Sequence, residues 1–253
     1  MIGSKMQQGR MILSLVALCL IPTLSSGQTS SSEDYKVVFL PYLWGTAISG
    51  STAIGPLPPA DIDASFGDLL ENLNFGGSLH TEFRVNDWVF VIDPTFLSLE
   101  ADLTLPVPGE PTADMEVEIW LVEAWVGYRL AENWEVIGGA RYQDQDISVS
   151  GLPNPPFPDS VGVSVDFTDW FVGARFRKDL GDKWFMVLRA DVGVAGDSDS
   201  AVNAQIFVNR RVGKKGNKTL IMGYRYLEND YHETGYSWDV TQDGPVFGFS
   251  WAY

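Results

Sequence analysis

The ten residues GPVFGFSWAY at 244–253 leave few folds open. Read at a period of two, Phe247, Phe249, Trp251 and Tyr253 lie on one side, and Val246, Gly248, Ser250 and Ala252 on the other. A strand half-buried in a water-soluble sheet hides its large side chains and turns polar ones to solvent. Here the second face is small rather than charged, and the first is wholly aromatic. This distribution suits a strand whose outer side meets lipid and whose inner side meets a crowded lumen.

The same alternation recurs. In WEVIGGARYQ (134–143), Trp134, Val136, Gly138, Ala140 and Tyr142 oppose Glu135, Ile137, Gly139, Arg141 and Gln143. In TLIMGYRY (219–226), Leu220, Met222, Tyr224 and Tyr226 oppose Ile221, Gly223 and Arg225. Ten such runs fall at about 35–48, 75–85, 88–103, 115–130, 134–149, 161–179, 184–195, 201–212, 218–229 and 239–253. Each supplies the roughly 9–11 tilted residues that cross a bilayer. Short connections at 86–87, 131–133, 180–183 and 213–217 alternate with longer ones at 49–74, 104–114, 150–160 and 230–238, and with AGDSDS at 195–200. The expected fold is all-β: a single transmembrane antiparallel up-and-down β-barrel of ten strands, with eight or twelve as alternatives. Short turns and both termini then lie on the periplasmic side. Eight or twelve strands stay open because the run 35–48 fits either parity and Pro41 and Pro94 interrupt their strands.

Tryptophans mark the depth. Trp88, Trp134 and Trp184 each open a strand just after a short turn, while Trp120 and Trp170 stand near the opposite end of theirs. Eight residues at about 3.3 Å, tilted near 40°, climb roughly 20 Å, close to the apolar band of an outer membrane. At either interface an indole buries its ring and keeps its N–H wet.

Lys5 and Arg10, the apolar run MILSLVALCLI (11–21) and the exit Ser25-Ser26-Gly27 read as a secretory signal peptide, cut near Gly27–Gln28. Residues 28–253 then form one domain, and Cys19, the only cysteine, leaves with the signal. Without Lys5 and Arg10, 15 basic residues face 33 acidic ones, a net charge of −18. That balance argues against a nucleic-acid partner. The partners expected are outer-membrane lipid and lipopolysaccharide, around a monomer.

The C-terminal strand, with Phe247, Phe249, Trp251 and Tyr253, resembles the assembly signal of bacterial outer-membrane proteins. PYLWGTAISG (41–50), DIDASFGDLLENLNF (61–75), GGARY (138–142) and GYRYLENDY (223–231) resemble a broad group of small, mostly uncharacterised outer-membrane β-barrels. That resemblance implies insertion by the barrel assembly machinery, and it carries no established activity.

Parity sends thirteen charges inward: Glu82, Arg84, Asp93, Glu123, Arg129, Glu135, Arg141, Asp169, Arg175, Arg177, Arg189, Asp191 and Arg225. Both signs are represented, so an ion-pair network can satisfy groups that would be costly left dry and alone. A ten-stranded bore is narrow. The expected role is therefore structural or that of a narrow channel, with a charged and mostly occluded lumen. One alternative is a barrel that binds a ligand or surface partner through its outer loops. The other is an enzyme, resting on the two histidines: His80, inward beside Glu82, and His232, in a loop with Asp230 and Glu233. An outer-surface histidine with carboxylates is similar to the omptin proteases, also ten-stranded, yet no paired-aspartate motif stands at matching positions. Ser78 near His80 resembles lipid A-modifying barrels, without a third orienting group. No catalytic residue, cofactor or metal ligand is assigned; DSDS (197–200) and DID (61–63) read as solvated acids, or as acids loosely associated with Ca²⁺ or Mg²⁺.

ASFGDLLENLNF (64–75) leaves the alternation. Phe66, Leu69, Leu70 and Leu73 recur at helical spacing, and Ser65 with Asp68 suits an N-terminal cap. A short helix is expected in the first outer loop, lidding the mouth or tucked into it. LPVPGEP (105–111) and GLPNPPFP (151–158) read as stiff outer loops, and RRVGKKGNK (210–218) as a basic, solvated turn.

Overall fold

The computed structural model describes residues 35–104, 112–152, 158–213 and 216–253. The signal-peptide reading and the loop 105–111 lie outside them, as do 153–157 of the second proline-rich loop and Lys214–Lys215 of the basic turn.

Among the described residues, twelve strands and one helix follow in order: β1 (Tyr35–Trp44), β2 (Ala47–Ile54), β3 (Ala60–Ala64), α1 (Phe66–Glu71), β4 (Leu73–Val85), β5 (Trp88–Thr104), β6 (Thr112–Ala131), β7 (Trp134–Ser150), β8 (Ser160–Asp179), β9 (Trp184–Gly196), β10 (Ser200–Val212), β11 (Lys218–Glu233) and β12 (Tyr236–Ala252). Consecutive strands from β4 to β12 pair antiparallel, β1 pairs with β4, and β1 closes the sheet on β12. The result is a closed ten-stranded barrel carrying two extra strands, β2 and β3.

Those two strands correct the reading of 35–48 as one run and 49–74 as loop. The run breaks at Gly45–Thr46. β1 pairs with the lower half of β12, from Val38 opposite Ala252 to Trp44 opposite Val246. β2 continues up the same edge, from Ala47 opposite Asp243 to Ile54 opposite Tyr236. β12 outruns β1, and its upper edge would otherwise present unpaired N–H and C=O groups; β2, backed by β3, occupies it. DID (61–63) therefore lies in a strand. The expected loop at 230–238 is corrected as well. β11 runs on to Glu233 and turns through Thr234 and Gly235, the latter at φ +86°, into β12. Its continuation is stabilised because Tyr231, Tyr236 and Trp238 are buried inside the barrel.

One register persists along each strand while its polarity inverts. On β7 the outward face runs Trp134, Val136, Gly138, Ala140, Tyr142 and then Asp144, Asp146, Ser148; the inward face runs Glu135, Arg141, Gln143, Gln145 and then Ile147, Val149. On β6, outward Asp114, Glu116 and Glu118 give way to Trp120, Val122, Ala124 and Val126. β11 and β12 switch at Tyr226 to Glu228 and at Asp243 to Pro245. The lower part of the barrel is thus apolar outside and polar inside. The upper part is organised like a water-soluble barrel, around a core of Ile48, Ile119, Ile147, Val165, Phe167, Tyr231, Tyr236, Trp238 and neighbours.

The five marker tryptophans all face outward; Trp134 is 52% exposed and Trp170 58%. Each lower indole meets a partner on its own face or a basic neighbour. Trp88 lies 4.8 Å from Tyr128, Trp134 4.8 Å from Phe176, and Arg210 stands over Trp184 at 5.4 Å. At the upper level Trp120 packs on Phe96 at 4.7 Å. Phe247 remains exposed, while Phe249 and Trp251 meet edge to face at 4.8 Å beside the last residue, Tyr253.

α1 forms where the spacing placed it. Ser65 caps it: its hydroxyl accepts from the Asp68 N–H, and the Asp68 carboxylate accepts from the Ser65 N–H at 2.9 Å. The Ser65 hydroxyl and then its N–H hold the Asp68 carboxyl below its ordinary value. Leu69 packs against the upper core and Phe66 against Gly45 at the β1–β2 break, where a Cβ would come within 3.0 Å of the ring. Phe66 and Leu70 stay exposed. The helix therefore sits beside the wall at the outer end, with a single side chain reaching the core.

Candidate functional site in the barrel lumen

Ten of the thirteen inward charges meet in one connected interior, most of them in two rings. In the lower ring, Arg84 from β4 donates to Glu82 on its own strand and, at 2.8 Å, to Glu135 of β7. Arg175 of β8 returns from Glu135 at 2.6 Å to Glu82 at 2.7 Å, closing a cycle of two guanidiniums and two carboxylates. In the upper ring, Arg141 donates to Glu123 and Asp191, both at 2.8 Å, while Arg189 donates to Asp191 at 2.8 Å and Glu123 at 2.9 Å. Arg225 from β11 adds a third guanidinium, with Nη2 3.2 Å from Glu123.

Aromatic faces separate and hold these rings. Trp125 lies under Arg175 at 4.8 Å and Arg189 at 5.1 Å, so one indole bridges the two cycles. Phe171 carries Arg141 and Arg189, each at 5.1 Å, and Trp44 carries Arg225 at 4.6 Å. Such stacking suits the planar, weakly hydrated guanidinium and not an ammonium. Inward glycines make the room: a Cβ on Gly139 would stand 2.4 Å from that of Trp125, and one on Gly173 2.5 Å from that of Asp191.

His80 and Asp93 complete the interior. The ladder between β4 and β5 skips Leu79 and His80 opposite Pro94 and Asp93, where proline lacks a donor. There His80 Nδ1 lies 2.9 Å from Asp93 Oδ2, with Nε2 3.8 Å from Glu82. The Tyr42 hydroxyl donates to Asp93 at 2.8 Å, and Ser78 bonds Thr95 at 2.8 Å. Ser78 thus has its own partner, and His80 is fixed between two carboxylates.

Above the upper ring comes an amide layer. Gln143 donates to Asn229 at 2.9 Å, Asn203 to Asp191 at 2.7 Å, and Tyr236 to Gln145. Asp169 belongs here, accepting from Ser198 N–H at 2.9 Å and its hydroxyl at 2.7 Å. Next is the apolar core, where Phe167 and Tyr231 stack at 4.3 Å. Burial and then the Glu233 carboxylate push the Tyr231 phenol up to about 12. Arg141 and Gln145 are 0% exposed and Leu227 and Val240 no more than 1%, so the layers fill the bore.

Two predicted lumen charges stand apart. Arg129 sits at the short-turn rim, 3.6 Å from Asp87. Arg177 lies over Phe185 at 3.9 Å, below the lower ring. His232 is on β11 and not in a loop, facing outward, with Nδ1 3.1 Å from Asp230 and 3.4 Å from Asp199. Those three donors form an exposed group within 4.8 Å of one another, and Asp197 accepts from the Thr168 N–H at 2.8 Å. Parity identifies the ring members. Tyr42, the aromatic spacers, the amide layer and the apolar core escape a search for charge, although the odd-numbered run Val161, Val163, Val165, Phe167 announces the last.

No family model matches the chain, and no curated protein sequence matches it. Among solved structures it is similar to the outer membrane protease OmpT from Escherichia coli, with a TM-score of 0.57 at 8% identity, over 90% of this chain and 100% of that one. It also aligns with the translocator domain of autotransporter NalP from Neisseria meningitidis, TM-score 0.46 and 13% identity, over 90% of each. Neisserial surface protein A aligns at 0.33 and 15%, over 86% of this chain and 96% of that one. The likeness to OmpT is one of fold: this chain closes into the same kind of antiparallel β-barrel as that outer-membrane protein.

Proposed function

We propose that the protein is an integral barrel of the bacterial outer membrane, exported through a cleaved signal peptide spanning residues 1–27, and that its lumen is a structural plug and not a pore. One observation carries this reading. The upper ring of Arg141, Glu123, Arg189 and Asp191, extended by Arg225, is buried across the bore, with an amide layer and an apolar core stacked above it. An ion crossing this lumen would meet both a closed set of charge pairs and a dry hydrocarbon section. His80 lies between Asp93 and Glu82, and Ser78 bonds Thr95, so the two are not hydrogen-bonded to each other as a nucleophile and its base would be. The Phe247–Tyr253 strand supports assembly by the barrel machinery. The test is conductance of the folded protein in planar bilayers. No unitary steps above leak are expected. Steps that Arg141→Ala or Glu123→Gln alters in size would overturn the plug.

A further inference from the structure

Below the lower ring the bore is not filled. A cavity of about 170 Å³ opens at the short-turn end, with Lys36, Arg177, Arg211, Gly216, Asn217 and Ala252 among the residues around its mouth. Its charge is unbalanced. The lower ring sets two guanidiniums against two carboxylates, and the three guanidiniums above meet Glu123, Asp191 and, through Tyr42, Asp93. Arg211 turns to Asp179 at 2.5 Å and the Asp182 carbonyl at 3.2 Å. Lys36 and Arg177 are left: among the described residues neither has a carboxylate within ion-pair distance. The Arg177 guanidinium stands over Phe185 at 3.9 Å, whose ring also carries Arg211 at 4.8 Å, and among the described residues it donates to no side chain. A second, independent sign lies deeper. Arg225 lines the same cavity, its side chain is 2% exposed, and among the described residues its Nε has no hydrogen-bond partner.

Uncompensated cations are unexpected in a chain of 33 acidic and 17 basic residues. Placed at the mouth of a cavity, they are what a bound anion would balance. Between the mouth and the ring charges at its inner end, the walls set the apolar Leu40, Val187, Phe185 and Phe207 beside the amides of Gln205, Asn209 and Asn217. We infer that this cavity is a binding site for a small organic carboxylate with a short aromatic or branched apolar body, entered from the periplasmic side. The carboxylate pairs with Arg177 and Lys36 at the mouth, and the body lies against Phe185 and Phe207.

The probe is 4-fluorobenzoate, followed by ¹⁹F NMR with the full folded barrel in lipid nanodiscs, against the neutral 4-fluorobenzamide. Saturable binding of the anion, with the amide at least about tenfold weaker, is the expected result. Arg177→Ala should weaken the anion about tenfold and Lys36→Ala by a smaller factor. Arg129→Ala, which removes the same charge at the rim outside the cavity, should leave binding within twofold. Gel mobility without boiling verifies that each variant is folded. Should Arg177→Ala fail to fold, Arg177→Gln and Lys36→Ala carry the comparison. Equal affinity for acid and amide, equal losses at Arg177 and Arg129, or no saturable binding would overturn the site. A silent bilayer together with failed binding would leave the plug standing, so the two readings fall separately.

Discussion

Glu123 receives three guanidiniums, from Arg141, Arg189 and Arg225, at 2.7–3.2 Å. Its removal leaves buried positive charge without an answer, whereas the intact ring offsets its own desolvation. Glu123→Gln should therefore cost about 3–5 kcal/mol in denaturant unfolding from lipid, and adding Arg225→Met should restore part of it. Full additivity of the two losses would contradict the ring. Side-chain register at this scale was legible in the sequence, because a strict period of two places Glu123, Arg141 and Arg189 inward without any knowledge of the fold. Their pairing was not. Glu123 and Arg189 are 66 positions apart, and only closure of the sheet brings them together. Arg129 shows the limit of parity: it faces inward yet ends at the rim beside Asp87, since parity fixes side and not depth.

At the scale of elements, the polarity switch has a cost. Asp144 on β7 stands directly opposite Asp166 on β8, on the outer face just above Tyr142. Burial, then Asp146 and Asp166, hold the Asp144 carboxyl above its ordinary value. A raised carboxyl weakens the fold once ionised. The penalty is absent below the ordinary aspartate range and complete above the raised value. Asp144→Asn should thus stabilise the upper hairpin by about 0.5 kcal/mol at neutral pH, a gain that shrinks in high salt and vanishes on acidification through that range. Amide exchange along β7 and β8 measures it, and a gain that grows in acid would contradict the assignment. The α1 cap has the opposite sign. Asp68 is held low, so the cap is whole at neutral pH and is lost as pH falls through its depressed value. Asn72 amide protection should fall there, and Asp68→Asn should abolish the transition. The helix was legible from Ser65 and Asp68, whereas β2 and β3 were not. Their residues, AISGSTAI and ADIDA, are short, weakly alternating and rich in small side chains. What makes them strands is the unpaired upper edge of β12, a property of another part of the chain.

For the whole molecule, one wall serves two solvents. Below Trp120, Tyr142 and Tyr226 the outer surface is hydrocarbon-like and the interior is ionic; above them the arrangement reverses, and the barrel closes on a core like that of a soluble protein. This reversal explains why the lumen is filled above its short-turn mouth: the upper core excludes water, and the ring charges beneath it, cut off from one bulk phase, satisfy one another. A nitroxide scan along the outward face of β7 tests this most directly, since Cys19 is the only cysteine and precedes the barrel. Labels at Val136 and Ala140 should be reached by oxygen and not by a water-soluble nickel chelate. Labels at Asp146 and Ser148 should show the reverse, with the crossover between Tyr142 and Asp144. Uniform access to the chelate along all four positions, or a crossover absent from that point, would contradict a barrel whose outer face passes from lipid to water within one strand.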